Sequence, residues 1–238
     1  MNSDMYTAMN IRVADASADL RAAFVRRTYL HLAGAIFAFI LLEAALFQTA
    51  IPETFVGLLG TSRYAWLIVM GAFMGISYLA ENWANSDTSE QMQYAGLALY
   101  VAGEALIFVP LLFLAVNIAG PDVLLTAALM TLLLFAGLTY TAVTTKKDFY
   151  FLGSVLKVGG FIALGVIACS VLFGFTLGLV FSAVMVLFAA ASVLYNTSNI
   201  LHRYNTSQHV AASLALFASI ALLFWYVLRI VMGLSRRN

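Results

Sequence analysis

The residues of this chain that could do chemistry are few, and they stand where water is scarce. Three ionisable side chains interrupt long apolar runs: Glu43 in "LLEAAL", Glu104 in "YVAGEALIFVP" and Lys157 in "FLGSVLKVGG". A charge inside a bilayer is costly, so each is a proton- or ion-handling candidate unless packing or reach to the interface explains it. Glu43 is near the end of its run, from which a side chain can snorkel to the headgroups. Glu104 and Lys157 lie 10 and 8 residues in from the same ends of their runs, and so at similar depth. One expectation is a direct ion pair or proton relay between them. The plainer one is a neutral, hydrogen-bonded Glu104 and a snorkelling Lys157. Two neutral polar residues complete the set. Asn196 is 11 residues before Ser207, and Ser219 is 11 residues after Gln208. In a helical hairpin turning there, both stand about 16 Å along their helices, near the bilayer midplane.

The elements that must hold these residues follow from composition. The 238 residues are 63% hydrophobic and 10% charged, with a mean hydropathy of +0.95, whereas a soluble domain carries about a quarter charged residues. Seven apolar runs, at 29–47, 64–80, 94–116, 123–144, 149–173, 177–200 and 210–232, approach or exceed the roughly 20 residues that cross a hydrocarbon core. Helices are required, because backbone polar groups in lipid must be satisfied within their own segment. The expected architecture is an all-α integral membrane protein. A cytoplasmic, partly disordered segment (1–25) precedes a seven-helix transmembrane domain (26–233) and a short basic tail (234–238). Arg12, Arg21, Arg26, Arg27, Lys146, Lys147 and Arg203 flank one side; Arg63, Arg229, Arg236 and Arg237 flank the other. The excess of positive charge on the first side puts the amino terminus in the cytoplasm. The arginines of the tail pull the other way, and leave open a six-span arrangement in which the last segment re-enters.

Several functions are excluded or left without support. A net charge of +1 gives no electrostatic footprint for nucleic acid. His31, His202 and His209 have no metal-ligand spacing to one another or to Cys169, so no metal or cofactor is expected. There is no G-x-S-x-G, H-E-x-x-H or phosphate loop. A serine–histidine protease would have to use Ser213 or Ser219 with His209, and no motif surrounds either serine; an enzyme is not expected. The two "NTS" triplets at Asn196 and Asn205 match a sugar acceptor, but the first is three helical turns into lipid. Pro110, six residues after Glu104, should kink its helix or open the hydrogen-bond ladder. Gly71 and Gly75 form a GxxxG, whose ordinary role is close helix packing.

Four blocks of this sequence, in order, resemble a known family: "FVRRTYLHLAGAI" in the first span, "GLTYTAVTTKKDFYFLGSVL" around Lys146–Lys147, "VLYNTSNI" in the sixth and "VAASLALFASIALLFWYVLRI" in the seventh. From Phe24 onward the chain is similar to the Bax inhibitor-1 family (transmembrane Bax-inhibitor-motif proteins), and to its bacterial YccA-like branch in particular. The resemblance implies a seven-helix bundle with the C-terminal helix at its centre. In members that leak calcium, an aspartate on the sixth helix, within Y-D-T, and one on the seventh share a proton and gate a pore. Those positions fall on Asn196 and Ser219, and neither is acidic. A di-carboxylate pH sensor therefore cannot operate here, since Asn and Ser hydrogen-bond but do not titrate near neutral pH. Glu104 becomes the best interior carboxylate for pH or cation sensitivity. The arginine latch that some members carry in the second helix has no counterpart, because Arg63 lies at the rim. The function implied is a leak of calcium, other cations or protons across a bacterial inner membrane under stress. The alternative is a non-transporting regulator or inhibitor of a membrane-bound AAA protease, gripped through residues 1–27.

Overall fold

The computed structural model describes residues 11–62, 64–86, 89–145 and 147–235. Arg63, Lys146, Arg236 and Arg237, which enter the charge count above, and residues 1–10 of the amino-terminal segment lie outside them. The helices are α1 (Ala18–Leu46), α2 (Ile51–Thr61), α3 (Ala65–Ala84), α4 (Glu90–Ala119), α5 (Asp122–Thr144), α6 (Leu152–Phe173), α7 (Leu179–His202) and α8 (His209–Ser235). All but the 11-residue α2 are long and apolar enough to cross a membrane. α8 is a single uninterrupted helix of 27 residues, so the re-entrant, six-span arrangement does not arise.

Local chemistry sets the helix ends. Ser17 and Ser89 accept hydrogen bonds from the backbone N–H groups of Leu20 and Met92, which caps α1 and α4. Gly174 ends α6 with a φ of +76°, a left-handed cap that favours glycine. That cap separates α6 from α7 where hydropathy alone gives the weakest boundary.

The first helix starts at Ala18, well before the apolar run begins, and the chain is docked on the bundle from residue 11. The Val13 N–H donates to the Tyr204 carbonyl (2.9 Å), and the Thr206 N–H donates to the Ile11 carbonyl (3.0 Å). Arg21 donates to the carbonyls of Val13 (3.1 Å) and Ala14 (2.8 Å), with the Val13 side chain fully buried. Hydropathy misses this stretch because its helix is capped and charged rather than apolar. The N-terminal segment therefore clasps the α7–α8 turn.

α8 lies at the centre. α1, α3, α4, α5 and α7 pack along it, and α6 packs chiefly on α7. Aromatic rings fill the space on the α1 and α4 sides, with Phe108 edge-on to both Phe39 and Trp225. α3 and α4 approach most closely at Gly96. A Cβ there would stand 2.5 Å from both the Ala80 carbonyl oxygen and the Ala84 backbone nitrogen. By contrast, a Cβ added at Gly71 or Gly75 meets nothing within 4 Å. The packing role expected of the GxxxG thus belongs to Gly96 instead. Gly96→Ala should lower stability by about 1–3 kcal/mol through forced backbone separation, while Gly71→Ala stays within about 0.5 kcal/mol. Thermal unfolding of the detergent-solubilised protein measures both, and equal shifts would contradict this packing.

Candidate functional site: a polar cavity beside the central helix

A cavity of about 740 Å³ follows one face of α8. Ala211, Ala215, Ala218, Leu222, Trp225 and Arg229 line it, spaced by three or four residues as one helical stripe requires. From Ala211 to Arg229 the stripe runs about 27 Å, close to the thickness of a hydrocarbon core. Glu81, Tyr100 and Glu104 contribute polar atoms from α3 and α4, and Ser192, Asn196 and Ser219 from α7 and α8.

The hairpin expectation for Asn196 and Ser219 describes a direct contact: Asn196 Nδ2 donates to Ser219 Oγ at 2.8 Å. The Ser219 hydroxyl donates to the Ala215 carbonyl one turn earlier (2.9 Å). With its proton committed there, Ser219 is the acceptor in its 2.9 Å contact with Ser192, whose hydroxyl donates. Asn196 Nδ2 also donates to the Ala215 carbonyl (3.2 Å). Two donors and one acceptor saturate Ser219. Among the described residues the Asn196 carbonyl oxygen has no hydrogen-bond donor, and Asn196 lines the cavity. At mid-depth this wall of the cavity thus offers neutral oxygens.

The ionisable residues separate. Glu104 is 6% exposed and lines the cavity, with the Tyr100 hydroxyl one turn earlier interacting with its carboxyl. Lys157 is exposed on the outside of α6 and makes no ion pair among the described residues, so the expected Glu104–Lys157 contact is not formed. Their depths agree, but α6 packs on α7 and α3 rather than on α4. Glu43 also departs from expectation. It does not snorkel: it is 7% exposed, and both carboxyl oxygens are buried without a hydrogen-bond partner among the described residues. Ser213 donates to the carbonyls of His209 and Thr28, not to an imidazole.

The cavity has distinct ends. On the side of the amino terminus stand Glu81, Asn85 and Tyr204. Burial, reinforced by Tyr195 and Glu81, pushes the Tyr204 phenol up to about 12, so it stays a neutral hydroxyl. At the opposite end Trp66 stacks on Trp225 with centroids 6.1 Å apart. Beside them the Arg229 guanidinium donates to the Leu177 carbonyl (3.2 Å). Pro110 lies buried within α4, which continues as helix on both sides of it.

Three of these residues escaped the reading of the sequence. Ser192 is one turn before Asn196, and that spacing was the available signal. Glu81 lies just past the apolar run 64–80, and α3 extends four residues beyond that run. Arg229 was counted as a rim charge, although it is part-buried and lines the cavity.

Beneath this site, Asp148 staples the α5–α6 loop to the end of α7. It pairs with Arg203 at 2.9 Å and accepts from the Ser198 hydroxyl (3.2 Å) and the Tyr150 N–H (3.0 Å). Arg203 also covers the Tyr150 ring, 3.6 Å from its centroid.

Six spanning helices about a buried seventh, the C-terminal one, with a polar cavity along it, define a polytopic helical membrane protein. The chain belongs to the Bax inhibitor-1 family: residues 21–237 match the family described as "Inhibitor of apoptosis-promoting Bax1". An uncharacterised protein of Pseudomonas aeruginosa is 33% identical over 167 residues, covering 68% of this chain and 72% of that protein. The modulator of FtsH protease YccA of Escherichia coli K12 is 28% identical, covering 83% of this chain and 89% of its own. Bax inhibitor 1 of Schizosaccharomyces pombe is 26% identical over 95% of this chain and 82% of its own.

The Asp148 staple carries a pH dependence. Desolvation is the largest single effect and raises its pKa, but the hydrogen bonds from Arg203, Tyr150 and Ser198 and the Arg203 charge together outweigh it and hold the carboxyl below its ordinary value of 3.8. A depressed carboxylate adds stability above its unfolded pKa and loses it as pH falls through the folded one. The pair is half-exposed, so the contribution is about 1 kcal/mol or less. Asp148→Asn should therefore be less stable than wild type at neutral pH, with the difference closing below about pH 4. Thermal melts across pH test this; a difference that stays constant into acid would contradict it.

Proposed function

We propose that this protein is a slow cation leak of the bacterial inner membrane. The observation that carries the reading is the cavity, which follows the central helix for about the thickness of a bilayer core and presents neutral oxygens at mid-depth. A cation entering from the amino-terminal side meets Glu81 and then Glu104 with Tyr100. It then meets the free carbonyl oxygen of Asn196 beside the Ser192 and Ser219 hydroxyls. Oxygen ligands that replace part of a hydration shell without a fixed charge permit passage without strong trapping. Arg229 at the far end opposes cation exit, and the Trp66–Trp225 stack narrows it, which favours a small flux. The inner-membrane location is supported by a relative named "Inner membrane protein YccA" from a second Escherichia coli strain.

Without a carboxylate pair at Asn196 and Ser219, flux has no di-acid switch. Two carboxylates at that separation in low dielectric could not both ionise and would titrate as a coupled pair.

A second reading has its own observation, the relative named as a modulator of a membrane protease. This protein would then bind such a protease without transporting anything. The docking of residues 11–16 and the helix from Ala18 tie most of the proposed handle into the bundle, which favours the leak.

Flux of calcium, potassium and protons into liposomes, from acidic to neutral pH, separates the readings. Wild type should pass cations slowly, and Glu104→Gln should reduce the flux several-fold. Asn196→Asp with Ser219→Asp should give a calcium flux that varies steeply with pH. No flux from wild type or from the double-acid variant would overturn the leak and leave protease modulation as the function.

A further inference from the structure

A second hollow, of about 580 Å³, lies between the parallel helices α1 and α4, away from the central cavity. Gly34 and Ala38 from α1 and Ala98 from α4 leave room in it between the larger Leu30, Leu97 and Val101. A Cβ added at Gly34 meets nothing within 4 Å. Leu30, Gly34 and Ala38 are exposed, so the hollow opens sideways, to where lipid tails would lie.

The head of the hollow is polar. His31 Nδ1–H donates to the Arg27 carbonyl (2.7 Å), and the Tyr94 hydroxyl donates to His31 Nε2 (3.0 Å). This bridge ties α1 to α4 and occupies both ring nitrogens, so His31 has nothing left to offer a ligand. The charges stand one turn further out on the same stripes, Arg27 four residues before His31 and Glu90 four residues before Tyr94. Both act electrostatically on His209, whose ring meets His31 edge-on at 4.9 Å. Among the described residues neither Arg27 nor Glu90 is in an ion pair, and both are exposed.

An apolar lateral groove headed by one unpaired cation and one unpaired carboxylate matches a dipolar lipid. We propose that the α1–α4 groove binds one molecule of a phospholipid that carries both a phosphate and a primary ammonium, phosphatidylethanolamine. An acyl chain fills the space beside Gly34, Ala38 and Ala98. The phosphate faces Arg27, and the ammonium donates to Glu90. Basic pockets between spanning helices at a membrane surface are suited to lipid headgroups, and the carboxylate supplies the selectivity. A choline headgroup has no N–H to give Glu90, and a glycerol headgroup brings no positive charge to it. The site is independent of whether the bundle conducts.

Native mass spectrometry of the delipidated full-length protein tests this, with phosphatidylethanolamine, phosphatidylcholine and phosphatidylglycerol added in turn. One phosphatidylethanolamine should be retained at roughly tenfold lower lipid concentration than either of the others, a difference of about 1.4 kcal/mol. Glu90→Gln should abolish that preference. Gly34→Leu should fill the groove and remove the tight adduct, while Gly71→Leu, on an open helix face, should keep it. Equal retention of the three lipids, tightest retention of phosphatidylglycerol, or an unchanged preference in Glu90→Gln would each overturn the proposal. If Gly34→Leu does not fold, the Glu90→Gln comparison decides alone.

Discussion

A helix packed among other helices in a membrane has no water on its packed faces to satisfy polar groups, and α8 is such a helix on every side but the one along the cavity. Every hydroxyl it carries must find a partner on its own backbone or on a neighbour. Ser213 and Ser219 both bond to the carbonyl four residues earlier, and each then reaches across to a second helix, α1 at Thr28 and α7 at Ser192 and Asn196. Those links fix the rotation of α8 against its neighbours. The rotation in turn decides which stripe faces the cavity and which faces packed rings. The amino-terminal clasp on the α7–α8 turn and the Asp148 staple hold the same hairpin from below.

The polar stripe that results is incomplete by the standard of a charged pore. The positions that resemble the family's acidic pair are held by an amide and a hydroxyl already bonded to each other. What the cavity keeps is geometry: length, a mid-depth cluster of oxygens, carboxylates on one wall and an arginine at one end. In the proposed leak, this geometry would attract cations only weakly, with no coupled acid pair to close it.

Depth was legible in the sequence, and rotation was not. Hydropathy located seven spans, and equal offsets from one turn brought Asn196 and Ser219 together, because consecutive antiparallel helices with a short turn are necessarily neighbours. The same depth argument failed for Glu104 and Lys157. Their helices are not neighbours, and nothing in the spacing of apolar residues says which face of α6 meets lipid. Glu43 illustrates a related limit: nearness to the end of a span permits snorkelling, but packing on α1 buried the side chain instead. Polar helical ends were also hidden, since α1 begins in a charged stretch and α3 continues into one. Ser192 and Arg229 had signals, a one-turn spacing and a polar group within helical reach of an apolar run, that become meaningful only once the cavity face is known.

The central claim is that water and ions reach one face of α8 and not the other. Cysteine accessibility tests it most directly, in a background where the exposed Cys169 is replaced by serine. Cysteines introduced at Ala215, Ala218 and Leu222 line the cavity, and those at Ala212, Leu216 and Leu223 are buried in the packed core. In intact proteoliposomes, a small water-soluble thiol reagent should label the first three and spare the second three. Protection of all six, or labelling without regard to face, would contradict a polar passage along the central helix.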